Sequence, residues 1–160
     1  KFMEGFLVPC VSVMGAVFKR VKVQGAEKEV RGYAQSLLKQ YHGEWDYNTN
    51  WKMDKGHPKR SGWIRAINRG HKKLRRHSNI SCPILAMHSD TTINESGTWN
   101  EGFRRADVVL DVNDIEKISK KLGKNLTQVT IKGGKHDLLL SEPSVREEAY
   151  NTIFDWLKDK

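Results

Sequence analysis

The second half of this 160-residue chain predicts an α/β architecture built on parallel strands. Three observations carry that prediction. Residues 83–87, Pro-Ile-Leu-Ala-Met, form a short apolar run suited to a parallel strand covered on both faces. Residues 127–131, Thr-Gln-Val-Thr-Ile, form a second. Between them a helix is expected from about residue 113, with Ile115, Ile118 and Leu122 on one face and Gly123 just past its end. Strand, helix and strand at this spacing make a right-handed parallel crossover.

A last helix is expected over residues 143–157, with Val145, Ala149, Ile153 and Trp156 as its inner stripe. Residues 89–106, between the first strand and the first of these helices, read as a long excursion. The first half is expected to be mainly helical, with short breaks over residues 1–40. Within it, "GYAQSLLKQYHG" reads as a helix ended by Gly43. Residues 43–60 have turn-rich composition and no sustained period, which predicts a loop anchored by Trp45, Tyr47 and Trp51. Ser61 is placed to cap a helix running to about His77, with Trp63, Ile64, Ile67 and Leu74 at helical spacing. The boundary is put at residue 80, dividing a helical segment (1–80) from a sheet segment (81–160).

Composition narrows the classes. Hydrophobic residues make up 38% of the chain, low for a self-contained globular domain. The apolar opening "FMEGFLVPCVSVMGAVF" is interrupted by Glu4, Pro9 and Ser12 and is shorter than the ~20 residues a membrane span needs. It also lacks a basic leader and a small-residue cleavage site, so a packed helix is expected, with no stable membrane insertion. Cys10 and Cys82 lie far apart without metal-ligand spacing, which predicts two reduced, half-buried thiols in a cytoplasmic protein. No cluster of His, Cys and carboxylates has ligand spacing, so no metal or organic cofactor is expected. The net charge of +9 is local: residues 52–76 hold ten Lys/Arg and one acid, Asp54. A solvated helix face explains that patch more simply than a phosphate-backbone binder, so nucleic acid is not the favoured partner.

The chemistry lies after the strands. Gly133 and Gly134 let the chain turn sharply beyond the second strand and bring His136 to the carboxyl edge of the sheet, where α/β sites form. A histidine there suits a general base that later acts as an acid. Its orienting carboxylate should come from the loop after the preceding strand, where Asp90, Asp107 and Asp111 compete. Asp107 is preferred, because the 29 residues to His136 leave room for one helix and one strand. Asp111 is better placed to cap the helix that follows it, and Asp90 remains the alternative acid. A nucleophile is missing: no serine sits in G-x-S-x-G, Ser61 being flanked two positions away by Lys59 and Trp63, and Ser89 by Met87 and Thr91.

The stretch from about residue 43 to residue 157 resembles the C-terminal part of bacterial α/β-hydrolases of the monoacylglycerol lipase, lysophospholipase and serine aminopeptidase-like group. Asp107, Val109, Leu110 and Asp111 match that group's acid pattern, and Gly133, His136 and Asp137 match its G-x-x-H-D. The resemblance implies an α/β-hydrolase fold with an incomplete sheet, Asp107 as triad acid and His136 as triad base. It also implies residues 1–80 as a cap or lid, and an ester or lipid substrate of acylglycerol or lysophospholipid type. The excursion replaces the group's short strand-to-acid loop, and the nucleophile elbow and oxyanion-hole loop are not in this sequence. The expected partner is therefore the missing N-terminal half of a hydrolase, with a homodimer of this chain as a second possibility. The alternative is a non-catalytic basic module that binds nucleic acid or an anionic membrane surface.

Overall fold

A computed structural model describes residues 7–95 and 97–160, apart from the side chain of His77. Its elements are α1 (Val8–Val17), β1 (Lys22–Gln24), α2 (Gly32–Leu37), β2 (Lys59–Arg60), α3 (Ser61–His77), β3 (Ile84–Ser89), α4 (Val112–Ser119), β4 (Leu126–Ile131) and α5 (Pro143–Lys158). Single 3₁₀ turns lie at Glu101–Arg104 and Leu138–Leu140. The mixed helices and small sheets are consistent with part of an α/β fold. The chain divides into two compact units, and not at residue 80. One comprises residues 1–29 and 55–78; the other comprises residues 30–54 and 79–160.

In the first unit α1 lies against α3. Ser12 and Gly15 are the buried positions of α1, and a Cβ on Gly15 would strike the carbonyl of Ser61. Small residues thus set a close helix approach, while Val13, Val17 and Phe18 stay 61–76% exposed. The opening segment is therefore packed on one narrow stripe only, and residues 1–6 lie outside the described residues. Cys10 is exposed on the other side of α1, and Cys82 is exposed ahead of β3, correcting the half-buried reading of both. Ser61 is the first residue of α3 and does not cap it. Its hydroxyl donates to the carbonyl of Phe18, so it stitches the start of α3 to the end of α1. β1 and β2 pair antiparallel through a register shift, a strand pair too short to leave any period in the sequence.

The second unit carries the parallel pair. β3 and β4 run in register from Ile84 opposite Leu126 to Ser89 opposite Ile131, with α4 as the crossover. Asp111 caps α4 by accepting from the N–H of Asn113 at 2.9 Å. Gln128 ties β4 to α4 through the Glu116 carbonyl and the Ser119 hydroxyl. Gly123 has no left-handed φ; a Cβ there would meet the Ile80 carbonyl, so close approach is what requires glycine. On α5, Ala149 is buried, Val145, Ile153 and Trp156 are half-buried, and the Trp156 indole donates to Thr127 on β4. Leu37, Phe103, Ala106, Ile131 and Ala149 form the fully buried centre.

One aromatic anchor and one helix end differ from expectation. Trp45 is an anchor, donating to the Leu140 carbonyl at 3.0 Å, but Trp51 is 89% exposed. The helix expected to run to Gly43 stops at Leu37. Leu38 turns extended and bridges to Trp45, so the pairing of this loop overrides local helix preference.

Candidate active site

The two strand ends deliver the site. β4 ends at Ile131, and Gly133 adopts φ +70°, a left-handed turn that most side chains resist. His136 follows three residues later. On the neighbouring strand, the excursion leaves β3 and returns through a single closure. The N–H of Asp107 donates to the Thr91 carbonyl at 2.8 Å, and the N–H of Ile93 donates to the Asp107 carbonyl at 3.1 Å. Thr92 accepts from the N–H of Val112 at 2.9 Å and donates to the Leu110 carbonyl. The loop is therefore stitched shut at its base, and its length does not displace Asp107 from the end of β3.

His136 Nδ1 and Asp107 Oδ2 lie 2.9 Å apart. The other carboxylate oxygen, Oδ1, accepts the N–H groups of Val109 and Leu110, each at 2.8 Å. Burial raises the Asp107 carboxyl, but the hydrogen bonds from His136, Leu110 and Val109 outweigh it and leave the pKa below the ordinary value. An ionised carboxylate only accepts, so Nδ1 must carry the proton it shares with Asp107. That leaves Nε2 as the basic nitrogen of neutral His136. The bond to Asp107 holds the histidine's pKa above its ordinary value, against burial, which lowers it. The Asp107 side chain is 3% exposed and the imidazole 29%, so the acid is sealed while the base remains reachable.

The other two carboxylates stand elsewhere. Asp90 accepts from the N–H of Gly133 at 2.8 Å, bracing the glycine turn. Asp111 caps α4. Among the serines, Ser89 bonds to Thr91, Ser36 donates to the Tyr33 carbonyl, and Ser141 accepts from the N–H of Lys135.

A second group beside His136 is not visible in the sequence. Tyr33 donates its hydroxyl to Asp137, and Lys52 Nζ lies 2.8 Å from the same carboxylate oxygen and 3.1 Å from the Tyr33 hydroxyl. The Tyr33 ring meets the imidazole edge-on, with centres 5.8 Å apart and planes at 82°. Burial, then the bond to Asp137, pushes the Tyr33 hydroxyl far up, so it remains a donor. Burial raises Asp137, but the bonds from Lys52 and Tyr33 more than offset it, and the carboxylate stays ionised. Asp137 is part of G-x-x-H-D and Lys52 of the basic patch. No sequence signal joins either to Tyr33, 104 and 19 residues away respectively.

No protein-family model matches this chain, and no curated protein does. Among solved structures, it superposes on the monoacylglycerol lipase of Paleococcus ferrophilus with a TM-score of 0.50 and 18% identity, over 96% of this chain. The likeness is one of fold. The chain spans about half the length of that lipase, 51%. Among the described residues no helix is long and apolar enough to cross a membrane.

Proposed function

We propose that this chain is the cap and C-terminal part of an α/β-hydrolase-type serine esterase acting on a carboxylic ester of acylglycerol or lysophospholipid type. His136 is its base and Asp107 its acid. The observation that carries the reading is the division of labour at Asp107: one oxygen is held by two backbone N–H groups, and the other is aimed at His136 Nδ1. A carboxylate so fixed selects one imidazole tautomer and stabilises the imidazolium, which is the role of a triad acid. A serine hydroxyl supplied from outside these 160 residues attacks the ester carbonyl, and its proton passes to His136 Nε2. The imidazolium then gives that proton to the departing alkoxide, and water repeats the sequence on the acyl-enzyme.

The complete coding sequence tests this. Its product should hydrolyse p-nitrophenyl acyl esters and be labelled by a fluorophosphonate, and His136→Ala should remove both responses. The 160 residues alone should do neither, having no nucleophile for His136 to activate. A complete product with no G-x-S-x-G and no labelling would sink the hydrolase and leave the basic-module alternative.

A further inference from the structure

Both residues that flank His136 in sequence are fastened to one short helix, α2. On the N-terminal side, Lys135 is buried, 3% exposed, and its ammonium donates to the Ser36 carbonyl at 2.8 Å. Burying an ammonium is costly, and here burial lowers the Lys135 pKa. A mere loop residue would not need it. Ser36 lies in the last turn of α2, where carbonyls are electrostatically suited to a cation. On the C-terminal side, Asp137 takes the Tyr33 hydroxyl. Tyr33 and Ser36 are joined in turn by the Ser36 hydroxyl on the Tyr33 carbonyl, at 2.8 Å. The helix is itself anchored: Glu95 accepts the N–H of Gly32, and Ala34, Ser36 and Leu37 are buried.

We propose that α2 is the seat of the histidine loop, with Lys135 and Tyr33 as positioning residues that hold the imidazole in line with Asp107. The two tethers grip the backbone on either side of His136, and the Tyr33 ring limits rotation of the imidazole between them. Neither residue is asked to touch substrate. The proposal rests on the reading of His136 and Asp107 as base and acid.

The test is a ring-nitrogen NMR titration of His136 in the 160-residue chain and its variants. Groups acting directly on this imidazole are Asp107, Asp137 and Lys52. Lys135→Met keeps the bulk and removes a nearby positive charge, which by electrostatics alone should raise the histidine midpoint. Loss of positioning weakens the bond to Asp107 and should lower it instead. We expect Lys135→Met and Tyr33→Phe each to lower the midpoint by roughly half a unit or more, with the low-field Nδ1–H signal weakened. In the complete enzyme the same changes should reduce kcat by up to about 10²-fold with KM little altered. A midpoint unchanged or raised in either folded variant overturns the proposal, and if one variant does not fold the other decides. Asp107→Asn separates the two levels: if it leaves the midpoint unmoved, the base–acid pairing itself has failed.

Discussion

At the scale of single residues, the Asp107–His136 pair makes commitments that differ from those of Asp90. On the proposed hydrolase reading, Asp107→Asn in the full-length protein should cost on the order of 10⁴ in kcat, because the amide would favour the wrong imidazole tautomer. Asp90→Asn keeps an oxygen that can accept from Gly133 and loses only the charge, so it should cost no more than about 1 kcal/mol of stability, with a mild effect on rate. The opposite ranking in a kinetic comparison of the two variants would transfer the acid role to Asp90. Linkage fixes the pH behaviour as well. The histidine's folded pKa is raised, so its contribution to stability is whole below about pH 6.5 and is lost as pH rises through the folded value. The carboxylate's folded pKa is lowered, so its contribution is whole above about pH 4 and is lost as pH falls through the folded value. The pair should stabilise most between those limits. Urea denaturation at a series of pH values should show Asp107→Asn losing most stability in that window, and a loss independent of pH would contradict the linkage.

At the scale of elements, the excursion and α2 depend on each other through Phe103, which is 1% exposed and faces the position a Cβ on Gly32 would occupy. Phe103→Ala should destabilise the chain by about 3–5 kcal/mol, measurable as a fall in the urea midpoint. A change under about 1 kcal/mol would mean that the excursion does not brace α2. The sequence made the parallel strands, α4 and α5 legible because each is a local apolar pattern of adequate length, and it offered His136, Asp107 and Asp90 from the loops that follow. It could not display α2's true end, which depends on the bridge from Leu38 to Trp45. Nor could it display the Tyr33–Lys52–Asp137 group, whose members meet only in three dimensions. Ser61 misled for a related reason: a serine before an apolar run looks like a cap, but its hydroxyl is committed to Phe18.

At the scale of the whole molecule, no third strand joins β3 and β4 among the described residues. Outer strand edges and the exposed apolar side chains of Val109, Leu110, Phe154 and Leu157 offer contact to another chain. We expect the 160 residues to self-associate at tens of micromolar; sedimentation equilibrium showing a monomer that unfolds cooperatively would count against an incomplete sheet. The two units alternate along the sequence, which restricts how such a chain can be recombined. The chain passes between them after residues 29, 54 and 78, so the unit that holds His136 also owns Tyr33, Ser36 and Lys52. No single recombination breakpoint can exchange one unit for a cousin's without parting the histidine loop from the helix that seats it. Inheritance of the first unit by shuffling therefore requires two coordinated exchanges on either side of residues 30–54, and a single crossover after residue 78 would leave His136 with a foreign seat.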